Sequence, residues 1–208
     1  MDYNLIATAT FGLEAVVAKE LKELGYENVF VVKEQEMPDG NFPTAPYPNP
    51  EDPKVFKLAL DMAKEIQPDI IFGTDPDCDR IGVVVKDNNG EYQVLSGNQT
   101  GMLLTNYILS SLKEMNKLPK NGAVIKTIVT TESVRKMTEE YGVTLIDTLT
   151  GFKYIGEKIR EFEESGSNEY LFGFEESYGY LAGTFARDKD AVVASMLIAE
   201  MTLYYKEQ

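Results

Sequence analysis

The chain of 208 residues contains no histidine and a single cysteine. Without imidazole there is no Ser-His-Asp or Cys-His catalysis, no histidine-ligated zinc and no imidazole general base. One thiol excludes an internal disulfide and fits a reducing compartment, so a cytoplasmic location is expected. Basic residues are scarce, Lys+Arg 20 against Asp+Glu 34, for a net charge of −14. That balance argues against nonspecific binding to nucleic acid or anionic lipid, both of which require a cationic surface. No window approaches the roughly 18 uninterrupted apolar residues of a membrane helix, so no membrane partner is expected. The start carries Asp2 and Glu14 where a secretory signal would be basic. What the chain does have is 43% hydrophobic and 11% aromatic residues, enough for a sizeable core. Its chemistry must come from carboxylates, hydroxyls and Lys/Arg, with or without a hard metal ion.

Strand-like and helix-like patterns alternate along the chain. Leu5–Thr10 reads as a strand, and the spacing of Leu13, Val16, Val17, Leu21 and Leu24 predicts a helix ended by Gly25. Val29–Val32 is a short strand. Six of the nine prolines then fall between Met37 and Pro53. Proline neither donates to a ladder nor continues a helix, so this is an extended loop or a linker. The stripe Val55, Leu58, Ala59, Met62 and Ile66 favours an ordered loop running into a helix. Asp69–Phe72, Ile81–Val85 and Tyr92–Leu95 are strands, the last two joined by Asn88-Asn89-Gly90 as a hairpin. Helices are expected at Met102–Met115, Ser133–Tyr141, Phe152–Phe162 and Asp190–Tyr205, and strands at Ala123–Val129, Val143–Ile146 and Tyr170–Phe174. The fold class is therefore α/β: two three-layer α/β domains with mixed, mostly parallel sheets, residues 1–92 and 93–208.

The most informative segment is Gly73-Thr74-Asp75-Pro76-Asp77-Cys78-Asp79-Arg80. In an extended chain, carboxylates at i, i+2 and i+4 project to one side. Two of them about 5 Å apart repel by roughly 3 kcal/mol at an effective dielectric near 20, so three that converge call for a cation. Oxygen donors select a hard one. An EF-hand loop also opens with this spacing, but it needs glycine at position six and glutamate at twelve. Those positions hold Arg80 and Lys86. Mg²⁺ with open positions for water or a phosphate oxygen fits better, the bland alternative being a solvated acidic turn.

A second segment, Gly173-Phe174-Glu175-Glu176-Ser177-Tyr178-Gly179-Tyr180, follows a strand, where α/β sheets place ligands. Its carboxylates and hydroxyl suit a polyol, though a surface turn has the same composition. Arg187-Asp188-Lys189-Asp190 offers bases that could meet a phosphate or face solvent. Thr150-Gly151-Phe152-Lys153 stands at a strand-to-helix turn, where backbone N–H groups and Lys153 could meet an anion, or where the polar residues merely cap the helix.

Taken together, these four segments resemble the loops of the α-D-phosphohexomutases, the phosphoglucomutase/phosphomannomutase family. Asp39-Gly40-Asn41-Phe42-Pro43 and Pro48-Asn49-Pro50-Glu51 match a fifth loop of that family, and order and spacing agree from about Glu23 to Gln208. The resemblance implies that Asp75, Asp77 and Asp79 hold Mg²⁺ and that Arg80 lies beside the metal. It implies that Thr150, Gly151, Lys153, Glu175, Ser177 and Arg187 bind the substrate, and that Arg80 and Lys189 are catalytic, Lys189 as an acid/base or phosphate contact. The implied reaction moves a phosphoryl group between C1 and C6 of a hexose, or C1 and C5 of a pentose, through a phosphoserine and a bisphosphate.

Two departures accompany the match. Family members have four domains, and the first carries a Thr-Ala-Ser-His-Asn-Pro-like motif that this histidine-free chain does not contain. The resemblance covers domains II and III and is expected not to reach I or IV. Such a chain is expected to bind metal and sugar phosphate but to be inactive alone. A partner supplying the absent domains, or a non-catalytic interaction role, is the alternative. The second departure is the opening, Tyr3-Asn4-Leu5-Ile6-Ala7-Thr8-Ala9-Thr10-Phe11-Gly12-Leu13-Glu14-Ala15. It resembles the start of bacterial ribosomal-RNA methyltransferases bearing a THUMP module, which implies a chimeric start at residues 1–24 and a rival role in RNA binding. Its strand and helix are nonetheless suited to the first β-α slot of domain II.

Overall fold

The computed structural model describes residues 4–9, 14–37 and 39–207. The chain divides into two compact units, residues 1–96 with 191–208, and residues 97–190. This partition differs from a cut at residue 92 chiefly in the last helix, which contacts the first unit.

In the first unit Asn4–Ala9 (β1) lies parallel to both Asn28–Val31 (β2) and Ile70–Thr74 (β3). Ile81–Lys86 (β4) and Tyr92–Leu95 (β5) extend the sheet antiparallel, giving the order β2-β1-β3-β4-β5. Asp69 fixes the entry of β3 by accepting the Asn4 N–H at 3.1 Å. The opening thus fills the β-α slot, with Glu14–Glu23 (α1) crossing to β2. Expected positions Thr10 and Leu13 lie outside the described residues. The Asn88-Asn89-Gly90 turn is closed by Asp87, whose carboxylate accepts the N–H groups of Asn89 at 2.8 Å and Glu91 at 3.0 Å.

The proline-rich stretch is no linker. It lies inside the first unit, after the short helix Lys33–Glu36 (α2), and Gln35, 1% exposed, donates to Thr44 at 3.3 Å. A single 3₁₀ turn, Pro53–Phe56, starts where Asp52 caps the Lys54 N–H, then Lys57–Ile66 (α3) follows. Ala59 and Ala63 of α3 pack with Phe56, Ile71 and Val84. Phe56 sits so tightly that a Cβ on Gly73 would lie 2.5 Å from its ring, and one on Gly82 2.8 Å. Ala191–Lys206 (α7) contacts α1, β3 and β4.

The second unit repeats this connectivity without repeating the sequence. Gly122–Thr127 (β6) is parallel to Thr144–Thr148 (β7) and Glu169–Phe174 (β8), and Tyr180–Ala182 (β9) pairs antiparallel with β8. The order is β7-β6-β8-β9. Ser133–Tyr141 (α5) links β6 to β7, and Phe152–Ser165 (α6) links β7 to β8. Ile155, Ile159 and Phe162 of α6 pack on Ala123, Ile125 and Leu181. Residues alternate along a strand, so Tyr180 faces the other way, where its hydroxyl donates to the Gly97 carbonyl at 3.1 Å. That face carries Gly97–Glu114 (α4).

Two expectations are corrected by this unit, and it adds a strand. The α4 helix starts at Gly97, not Met102, because Gly97 and Gly101 admit the Glu176 backbone and the Phe174 ring; Cβ atoms there would lie 2.0 and 2.1 Å away. Strand β6 stops at Thr127, leaving Ile128 and Val129 each 56% exposed, because the chain turns where the Lys126 ammonium grips two carbonyls. The added strand is β9, three residues long and without a sequence pattern. No helix among the described residues is long and apolar enough to cross a membrane.

Candidate metal and sugar-phosphate sites

The acidic segment is the tip of the β3–β4 hairpin. Thr74 pairs with Ile81, and the intervening residues must reverse direction. They do so with Cys78 in the left-handed region (φ 56°) and its N–H on the Asp75 carbonyl at 3.1 Å. The convergence of the three carboxylates therefore comes from a tight turn and not from an extended chain. Each of Asp75, Asp77 and Asp79 offers one carboxylate oxygen within 4.8 Å of the others.

The turn also orients them. One oxygen of Asp75, a residue 9% exposed, accepts the N–H groups of Asp79 and Arg80, both at 3.1 Å. Its other oxygen stands 3.6 Å from Arg80 Nε, which is 3.7 Å from Asp79 as well. Arg80 Nη1 reaches back 3.2 Å to Glu51 in the proline-rich loop. Burial pushes the Asp75 carboxyl up to about 7, and the Asp79 and Asp77 charges add to this, while the Arg80 N–H opposes it. A carboxylate that resists ionising beside two others is one whose charge a cation would stabilise. The donor set, oxygen only and three carboxylates strong, fits Mg²⁺.

In the second unit the expected sugar loop proves to be a hairpin tip too, between β8 and β9. Glu175 N–H donates to the Gly179 carbonyl at 2.9 Å, and Tyr178 takes the left-handed conformation (φ 67°). Glu175, 7% exposed, accepts the Gly151 N–H at 2.8 Å, which joins the sugar loop to the turn ahead of α6. Burial raises the Glu175 carboxyl above the usual range, with the Gly151 N–H and Lys189 working against it. Lys189 lies over the Phe152 ring at 5.6 Å and runs where a Gly179 Cβ would be, 2.0 Å from its Cδ. Glu175, Gly151 and Lys189 are thus brought together, with Ser177 half-buried on the same tip.

The other expected residues are placed differently. Thr150 is exposed at the turn, and Lys153 lies over the Tyr154 ring at 4.9 Å. Arg187 pairs with Glu163 at 2.6 Å and donates to the Ala186 carbonyl at 3.2 Å, and it lines one cavity with Lys153, Tyr154 and Arg160. Sequence reasoning missed Glu51 as the partner of Arg80, and the set Lys126, Thr127, Thr130 and Glu176. A lysine inside the apolar run Ala-Val-Ile-Lys-Thr was the available signal, since a buried charge needs partners.

Comparisons with known proteins show the family. Residues 3–90 match the family model of the phosphoglucomutase/phosphomannomutase α/β/α domain II, and residues 96–208 that of domain III. The domain II match takes in the opening segment as well. A phosphoglucomutase of Staphylococcus haemolyticus is 36% identical over 208 residues, 100% of this chain and 37% of that protein. The chain therefore spans little more than a third of that relative. A phosphoglucomutase/phosphomannomutase family protein from Burkholderia thailandensis, 20% identical, superposes with a TM-score of 0.74 over 98% of this chain and 40% of that one. The Aspergillus fumigatus N-acetylphosphoglucosamine mutase complexed with GlcNAc-6P and magnesium gives 0.60 at 15% identity, over 100% and 44%. The chain belongs to the phosphoglucomutase/phosphomannomutase family, of which it carries the α/β/α domains II and III.

Proposed function

We propose that this chain supplies the Mg²⁺-holding and sugar-recognising parts of a mutase that moves a phosphoryl group between C1 and C6 of a hexose, or C1 and C5 of a pentose. The observation that carries this reading is the trio Asp75, Asp77 and Asp79, with oxygens within 4.8 Å and Arg80 alongside. The three carboxylates would hold the ion, which when bound draws charge from phosphoryl oxygens. Arg80 presents a guanidinium to the same charge and is held in place by Glu51.

On the second unit, Glu175 accepts hydrogen bonds from sugar hydroxyls while its other partner, the Gly151 N–H, fixes its aim. Ser177 offers a hydroxyl that can donate or accept, as suits a ring bound in either of two orientations. Lys189 supplies the cation nearest Glu175, as a phosphate contact or proton carrier. The phosphoserine and bisphosphate of the family's reaction lie outside what these residues provide.

Calorimetry on the full chain tests the proposal. Saturable binding of Mg²⁺, and of glucose 6-phosphate, is expected, with the sugar phosphate lost in Glu175→Gln. A chain that binds neither overturns the reading.

A further inference from the structure

Glu175 and Glu176 are adjacent carboxylates on one hairpin tip, and composition cannot say which of them meets a sugar. Their surroundings differ. Glu176 Oε2 accepts the Thr127 hydroxyl at 2.9 Å and the Thr130 hydroxyl at 3.0 Å, and those hydroxyls are 2.6 Å apart. Both threonines are buried, Thr127 at 0% and Thr130 at 3% exposure. They belong to the turn after β6, which is fixed from several sides. Lys126, 0% exposed, donates to the Thr127 and Thr130 carbonyls at 3.3 Å each and pairs with Glu132 at 2.8 Å and Asp147 at 2.7 Å. Asn98 at the start of α4 accepts the Thr131 N–H at 3.0 Å. The Glu176 carbonyl abuts Gly97, where a Cβ would come within 2.0 Å.

A turn held this firmly, with two hydroxyls on one carboxylate oxygen, is a clamp. We propose that Thr127 and Thr130 are positioning residues: they hold Glu176 as the anchor of the β8–β9 tip, leaving Glu175 and Ser177 as the groups that face a sugar phosphate. The proposal rests on the sugar-binding reading for its ligand, but the clamp itself is a property of the loop.

Two double variants of the full chain separate hydroxyls from packing. Thr127→Val with Thr130→Val keeps the shape and removes both donors. Thr127→Ser with Thr130→Ser keeps the donors and removes two methyls. Losing both partners of a half-buried carboxylate is worth about tenfold in a local equilibrium. Amide exchange at residues 175–179 should therefore quicken by about that factor in the valine pair and stay near the natural rate in the serine pair. Glucose 6-phosphate affinity should fall about tenfold in the valine pair and recover in the serine pair. Natural exchange rates in the valine pair overturn the proposal, as does a serine pair that behaves like the valine pair. If exchange responds as expected but the natural chain binds no glucose 6-phosphate, the clamp stands and the sugar reading falls.

Discussion

The β3–β4 and β8–β9 hairpins occupy corresponding places in two sheets of like connectivity, yet they present opposite solutions to a buried carboxylate. Each tip begins with an acid directly after its strand, Asp75 at 9% and Glu175 at 7% exposure. Each turns through a left-handed residue three positions on, Cys78 at φ 56° and Tyr178 at φ 67°. In both, burial is the first cause of a raised carboxyl pKa. The difference lies in what surrounds the acid. Asp75 is crowded by two further aspartates, a surplus of negative charge that invites a cation. Glu175 meets one N–H and a lysine, and its neighbour Glu176 is taken up by two threonines. One backbone device thus gives, on the proposed reading, a metal site where the neighbouring acids converge and a sugar site where the neighbouring acid is clamped away.

The largest expected effect falls on the sugar side alone. Glu175→Gln should weaken glucose 6-phosphate binding by about a hundredfold, since a charged acceptor is replaced by a neutral one that presents two N–H groups, while Mg²⁺ affinity is unchanged. Calorimetry with each ligand checks both halves. If Mg²⁺ binding also falls, the two hairpins are not independent.

Next comes Gly179→Ala. Its Cβ needs the space of the Lys189 stem, so the lysine must move, and about a tenfold loss of glucose 6-phosphate affinity is expected at little cost in Mg²⁺ binding. Natural affinity in this variant would remove Lys189 from the sugar-phosphate site.

A smaller effect concerns pH. Asp75 titrates near 7 in the folded chain, above its unfolded value near 4, so its contribution is stabilising at low pH and is lost as pH rises through 7. Without divalent cation the loss should be of order 1–2 kcal/mol, discounted for water around Asp77 and Asp79, and Asp75→Asn should remove it. Urea unfolding from pH 4 to 8 measures it. A natural chain and Asp75→Asn with parallel pH profiles would refute the assignment. Smallest is Glu51→Gln: its half-exposed pair with Arg80 is worth up to about 1 kcal/mol, read as a slight fall in melting temperature.

Much of the first hairpin was legible in the sequence because its chemistry and geometry are local. Asp75, Asp77 and Asp79 lie within five residues, and the apolar runs on either side could only be strands. The second hairpin was less so. Its strand β9 is three residues long, and Tyr180-Leu181-Ala182 has no pattern apart from its pairing with β8. The clamp on Glu176 comes from residues 46 and 49 positions away, a separation no spacing rule reaches. The helix expected from Met102 begins earlier, because Gly97 and Gly101, which weaken a helix by themselves, admit a backbone and a ring here. The charge of Arg187 is legible in the sequence, but its pairing with Glu163 on α6, 24 positions away, is not.

The central claim, that equivalent hairpins hold different ligands, is met most directly by titrating Mg²⁺ into three chains: the natural one, Asp77→Asn and Glu175→Gln. The account predicts saturable binding in the natural chain and in Glu175→Gln, and a severe loss in Asp77→Asn. Equal binding heats in Asp77→Asn and the natural chain would contradict it.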